Sequence, residues 1–174
     1  MTELEPDRPV SRPKATIRRA VRAMRLMRLR VRLGRRMTAG TDVALGAHCL
    51  VLSPRHFQLG NRVRVGRNLH VEADVILGDD VLISSNVAIL SNDHAFDDPH
   101  RTVFDQGRHP TATVRIEGDN LIGFGTIIVG PVTIGRGVIV GAGSLVTRDL
   151  PPYTVCLGRP ARAVRPRFLT ADAP

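Results

Sequence analysis

From Leu45 onward, aliphatic side chains return at every sixth position of the chain. One series runs Leu59, Val65, Val71, Leu77, Ile83, Ile89; after a break it resumes as Ile116, Ile122, Ile128, Ile134, Val140, Val146. Leu45 and Val51 extend it upstream, with a slip of two residues before Leu59. The next residue is often glycine, as at Gly46, Gly60, Gly66, Gly78, Gly123, Gly135 and Gly141. Four residues after the aliphatic stands another small or branched side chain: Val63, Val75, Val81, Val87, Thr126, Val132, Val138, Ser144. A period of six is neither that of an α-helix nor that of a plain strand. A unit so short cannot bury its own apolar face, so it must stack on copies of itself. The pattern therefore predicts an all-β solenoid of short parallel strands, aliphatics inward and permissive residues at tight corners. Three units would close one triangular coil, and coils would stack about 4.8 Å apart.

The series is interrupted from about Ser91 to Val114 by a polar stretch with Asp93, Asp97, Asp98, Asp105, Gln106 and Pro110. A solenoid accepts insertions at its corners, and a long unpatterned loop inside a repeat is usually functional. Upstream, Ile17, Val21 and Met24 fall at helical spacing and predict a short basic amphipathic helix to about Met27. From Arg28, Leu29, Val31 and Leu33 alternate with Arg30 and Arg32, which predicts a lead-in strand. Pro151 and Pro152 are expected to end the repeat, since proline cannot continue a backbone ladder. The expected organisation is a disordered tail over 1–13, helix and strand over 14–36, the solenoid over 37–152 with its loop at 91–114, and an extension over 153–174.

Composition sharpens this picture. The 174 residues are 43% hydrophobic but only 3% aromatic, so one domain with an aliphatic core is expected. The net charge is +9, and Lys14, Arg18, Arg19, Arg22, Arg25, Arg28, Arg30, Arg32, Arg35 and Arg36 crowd the region before the repeat. Such a surplus favours anionic partners. A solvated helix packed on the assembly and a helix docked on an anionic membrane both fit residues 14–36. Nucleic acid is disfavoured, because few aromatics are present to stack on bases. Arginines interrupt every apolar stretch, so neither a signal peptide nor a membrane span is expected. A cytoplasmic location follows, with peripheral membrane contact left open. Cys49 and Cys156 have no metal or redox spacing and read as small buried side chains.

The block Val132-Thr-Ile-Gly-Arg-Gly-Val-Ile-Val-Gly-Ala-Gly-Ser-Leu-Val-Thr-Arg-Asp-Leu-Pro-Pro152, followed by Gly158-Arg159-Pro160-Ala161, resembles the C-terminal coils of maltose, galactoside and capsular-sugar O-acetyltransferases. These belong to the hexapeptide-repeat acyltransferase family. The resemblance implies a left-handed parallel β-helix, where the general rule for parallel crossovers would favour the right hand. It also implies a homotrimer, acetyl-CoA as co-substrate, no metal, and a sugar-like small-molecule acceptor. A second block, Ile83-Ser-Ser-Asn86-Val-Ala-Ile-Leu-Ser-Asn-Asp-His94, is similar to the sugar O-acetyltransferase branch, where an Asn and a general-base His sit at this spacing. The match here is Asn86 and His94.

Acetyl transfer requires a base for the acceptor hydroxyl, a donor for the tetrahedral oxyanion, and a leaving thiol. Imidazole suits the first task because it titrates near neutral pH. His48, His56 and His70 lie in early coils and His100 and His109 deeper in the loop, so His94 is the expected base. Asp93, Glu72 and Asp97 are candidates to orient it. Glu72, Asp93 and Gln106 are weak candidates for binding the acceptor. The family's oxyanion donor is a backbone N–H at the position matching Phe124. The chain departs there from a small polar side chain, and carries Leu121 where Trp is frequent; a backbone donor survives both changes. The resemblance assigns CoA contacts to Ala142, Gly143, Thr147, Arg148 and Arg162, the cations suiting phosphates. Alternatives are N-acetyl transfer to an amino sugar or antibiotic, and a non-catalytic β-helix that binds a partner. A zinc enzyme of the γ-carbonic-anhydrase type needs three converging His ligands, and no close His pair resembling that set occurs in the repeat.

Overall fold

The computed structural model describes residues 12–52, 55–91 and 93–168, with side chains from Thr16 onward. The expected tail over 1–13 lies outside the described residues, except Arg12 and Pro13, which open helix α1. That helix runs over Arg12–Leu33 and takes in the segment expected as a lead-in strand. The reason is tertiary. Leu26, Leu29 and Leu33 recur at helical spacing and cap the open end of the solenoid, with Leu29 and Leu33 buried. Val31, which an alternating strand would place beside them, is 77% exposed. Among the described residues no helix is long and apolar enough to cross a membrane.

A 3₁₀ turn over Gly34–Arg36 leads into a parallel β-helix with three faces. The first face stacks β1 (Met37–Ala39), β4 (Phe57–Leu59), β7 (Asp74–Leu77), β10 (Thr113–Ile116) and β13 (Val132–Ile134). The second stacks β2 (Ala44–Leu45), β5 (Arg64–Val65), β8 (Leu82–Ile83), β11 (Leu121–Ile122) and β14 (Ile139–Val140), then β16 (Thr154–Gly158) and β17 (Ala161–Pro166). The third stacks β3 (Leu50–Val51), β6 (His70–Glu72), β9 (Ala88–Leu90), β12 (Ile127–Val129) and β15 (Leu145–Val146). The period-six aliphatics form the core, each of them buried. Complete burial of one such side chain is worth about 1.5–3 kcal/mol.

Register explains the break in the repeat. Val71 pairs with Ile89, 18 positions on, whereas Val75 pairs with Val114, 39 positions on. The surplus of 21 residues is the loop. It closes at its neck where the Ala112 N–H donates to Ser91 Oγ at 2.9 Å. The loop is therefore shorter than the expected 91–114, since Val114 is a fully buried member of β10. The C-terminal boundary also moves. Pro151 and Pro152 occupy a corner rather than a ladder position, so β16 adds in parallel to β14, with Cys156 beside Val140 in the core. The antiparallel β17 then covers the last parallel strand. Cys49, expected to be buried, is only half-buried.

Candidate active site

Two edges of the prism carry the residues singled out in the sequence. Edge I joins the second face to the third and repeats one tight turn in each coil. The second turn residue has positive φ every time: His48 (57°), Asn68 (58°), Asn86 (61°), Gly125 (68°), Gly143 (69°). Only Gly, or a residue such as Asn, takes this conformation readily. Its N–H donates to the coil before, as Asn86 does to the Arg67 carbonyl at 2.8 Å and Gly143 to the Phe124 carbonyl at 2.7 Å. The residue ahead of it forms a second column: Ala47, Arg67, Ser85, Phe124, Ala142. Phe124 opens the turn closed by the Thr126 N–H on the Gly123 carbonyl at 3.3 Å, and its own N–H has no acceptor among the described residues. The same holds for Ala142. Gly143 is different, because its N–H is already engaged and its carbonyl accepts from Arg159. In the Phe124 column the Ala47 and Ser85 N–H groups are likewise without an acceptor among the described residues, and only Arg67 is engaged, donating to Ser85 Oγ at 3.0 Å.

Edge II joins the third face to the first and carries the loop. His94 stands at the loop's neck, in an antiparallel bridge with Arg108. Asp93 accepts the His94 N–H at 2.8 Å, and its carboxylate lies 3.6 Å from His94 Nδ1. The turn of the chain at Asp93 brings the two neighbouring side chains to one side. The His94 amide hydrogen bond, helped by the imidazole, outweighs desolvation and holds the Asp93 carboxyl below the usual aspartate range. Glu72 is engaged elsewhere, 2.7 Å from His70 Nε2. Gln106 is used entirely inside the loop, accepting from the Asp98 N–H and donating to the Asp98 and Arg101 carbonyls. That makes it a brace of the loop. Asp97 forms neither a hydrogen bond nor an ion pair with His94. Thr147 and Arg148 follow β15 and so also lie on edge II, both exposed. Arg162 is exposed on β17.

A single chain therefore does not bring its candidate site together. Asn86 and Phe124 precede β9 and β12, neighbouring parallel strands, while His94 follows β9. At about 3.3 Å per residue the two groups stand on the order of 15 Å apart, across the third face. Asn86 accepts from Asn68 Nδ2 at 2.7 Å and does not reach the imidazole. Among the described residues no three His, Cys, Asp or Glu side chains converge on a possible metal position.

Two buried polar groups went unremarked in the sequence. Asn120 accepts from the Gly118 N–H and donates to the Gly135 and Val138 carbonyls. It replaces valine in the column of Val63, Val81 and Val138, which is the signal that could have found it. Asp74, wholly shielded from solvent, accepts from the Arg55 and His56 amides and pairs with the Arg55 guanidinium below the loop's neck. Burial pushes its carboxyl up, but these donors outweigh burial and leave it below the usual range.

Residues 113–148 match the family described as bacterial transferase hexapeptide (six repeats). Those 36 residues, about a fifth of the chain, carry that family's repeat. It is 32% identical over 129 residues to a galactoside O-acetyltransferase of Escherichia coli (strain K12), a match covering 70% of this chain and 62% of that protein. The chain thus spans under two thirds of that relative's length. A galactoside acetyltransferase solved in complex with coenzyme A superposes with a TM-score of 0.58 at 27% identity, over 76% of this chain and 71% of that one. A hexapeptide-repeat acetyltransferase of Vibrio cholerae superposes with a TM-score of 0.64 at 23% identity, over 86% and 92% of the two chains, and shows the shared fold. The fold is the left-handed parallel β-helix.

Proposed function

We propose that this protein transfers an acetyl group from acetyl-CoA to a hydroxyl of a sugar or glycan precursor, as a homotrimer whose reacting groups come from two neighbouring copies. The observation that carries the reading is the split of the site between edges I and II, at opposite ends of one face. Outward, the third face carries Leu50, Leu52, Leu90, Ile127, Val129 and Leu145, an apolar surface interrupted on β6 by the His70–Glu72 pair. Two apolar faces on one sheet call for a second packing partner. Three copies turned about an axis beside this face would bury it and set edge I of one copy against edge II of the next. The loop would then lie across the neighbour, which accounts for Phe96 and Phe104, 68% and 89% exposed on it.

In that cleft His94 Nε2 takes the proton from the acceptor hydroxyl as its oxygen attacks the thioester carbonyl. Asp93, beside Nδ1, favours the resulting imidazolium. The carbonyl electrons move to oxygen, and the oxyanion accepts from the Phe124 N–H of the neighbouring copy. As the carbonyl re-forms, the C–S bond breaks and the imidazolium returns its proton to the thiolate. CoA would bridge the same two edges, with Ala142 on one and Thr147 and Arg148 on the other. The relatives' names and the coenzyme A complex support the donor and the acceptor class.

The test is transfer from acetyl-CoA across a panel of sugars. His94→Ala should lose about 10²–10⁴-fold in rate with the trimer mass unchanged. Full activity in that variant would remove His94 as the base. Lability of the product to mild alkali separates an ester from the amide that N-acetylation would leave.

The proposal extends to location. Ile17, Met24, Met27 and Val31 form an exposed stripe on α1, opposite the buried Leu29 and Leu33. Arginines flank the stripe and residues 12–33 hold no acidic side chain. An anionic bilayer fits that surface, whereas pairing with a second copy of the same helix would set arginine against arginine.

A further inference from the structure

Edge I ends, beside α1, in a groove of 690 Å³ that the acetyl-transfer chemistry does not use. Its walls carry Arg22 and Arg25 from α1, Arg64 and Arg67 from the second coil, and His48 from the first. Arg64 is neutralised by Asp42, 2.7 Å away. Arg22, Arg25 and Arg67 form no ion pair among the described residues, and all three residues line the same space. Unpaired cations around one concavity are costly unless an anion joins them, because each guanidinium offers a fork of donors matched to phosphate oxygens.

The groove's position gives it a role. Along edge I the order of coils is His48, Arg67, Ser85, Phe124, Ala142. Arg67 lies two coils from Phe124, about 10 Å at the β spacing, a length spanned by a hexose together with its phosphate ester. The thioester end of the donor belongs at Phe124 and Ala142 in the proposed reaction, which leaves the opposite end of the edge to the acceptor. The geometry points to a phosphate-binding subsite for the acceptor: the sugar that receives the acetyl group carries a glycosyl phosphate or diphosphate, held by Arg22, Arg25 and Arg67. This rests on the acetyl-transfer reading above. The diphosphate chemistry is common to a soluble nucleotide-linked sugar and a lipid-linked one.

The test is calorimetric titration of the full chain with glucose 1-phosphate, a uridine diphosphate sugar and free glucose. Both phosphorylated probes should bind saturably, and glucose far more weakly. Arg25→Gln and Arg67→Gln should each weaken binding by about tenfold or more, the effect of removing a charge-assisted hydrogen bond, with the melting temperature unchanged. Arg148→Gln, at the donor end, should not weaken it. Equal affinity for glucose and its phosphate would overturn the proposal, as would unaltered binding in the Arg25 and Arg67 variants, or loss confined to Arg148→Gln. Repeating the titration with a polyprenyl-phosphate sugar in neutral phosphatidylcholine vesicles separates the two sources. Tighter binding there than to the nucleotide sugar marks a lipid-linked acceptor, the reverse a soluble one, and either outcome upholds the subsite. His94→Ala should bind glucose 1-phosphate as the parent does. Phosphate binding without any acetyl transfer would retire the transfer reading and leave the anion site standing; transfer to neutral sugars without phosphate binding would do the opposite.

Discussion

At the scale of single residues, the solenoid leaves few places for a polar side chain, and the fully buried Asp74, Asn120, Thr126 and Ser144 are each hydrogen-bonded. Asp74 is the clearest case, because it ties Arg55 and the preceding corner to the strand beneath the loop. Its carboxyl is held below the ordinary aspartate value of 3.8 in the folded chain. A depressed folded value means that the unfolded chain takes up the proton first as pH falls. The stabilisation is therefore complete above about pH 4 and is lost as pH falls from there through the folded value. Asp74→Asn should cost about 2 kcal/mol or more at pH 7, and the gap between variant and parent should narrow below about pH 4. Urea unfolding at several pH values measures it; a gap constant down to pH 2.5 would show that the charge of Asp74 contributes nothing. Asp74 was illegible in the sequence because its partners come from the irregular coil before it, where the repeat slips by two residues. His94 and Phe124 could be matched by resemblance, but the use of Gln106 as a brace depends on carbonyls of the loop that no spacing announces.

At the scale of elements, the period-six pattern was sufficient for the coils, since each aliphatic it marks is buried in the core. It failed where two periods coexist. Leu29, Val31 and Leu33 alternate as a strand would, yet Leu26, Leu29 and Leu33 also fit a helix; the open first coil needed a cap, and the helical reading supplied it. The consequence is a longer α1 whose outward stripe gains Val31. Met24→Ser with Met27→Ser changes only that stripe, as both side chains are exposed and outside the core. The double variant should bind vesicles containing phosphatidylglycerol several-fold more weakly, with binding of both proteins weakened by salt, and melt at the parent's temperature. Equal sedimentation of variant and parent with the vesicles would dismiss the bilayer as the partner of α1. Deleting the helix would be a poorer experiment, because it also uncaps Leu45 and the first coil.

At the scale of the whole molecule, the candidate site is legible only as an assembly. Counting residues from one core aliphatic to the next already assigns each candidate to a corner: Asn86 enters β9 and His94 leaves it, one strand apart. A chain that folds alone keeps them apart, so the proposed reaction needs neighbouring copies in a closed ring. Mixed trimers test this directly. One parent carries His94→Ala; the other carries Phe124→Pro, which deletes the N–H while suiting the first central position of a tight turn. Each homotrimer should be nearly inactive, the second by about 10²–10³-fold. In trimers reassembled from equal amounts, a site is intact when its imidazole comes from the proline variant and its N–H from the alanine variant. Random mixing makes that combination about one site in four, so roughly a quarter of the parent activity should return. Were base and oxyanion donor drawn from the same chain, every site in the mixture would keep one defect and no activity would return.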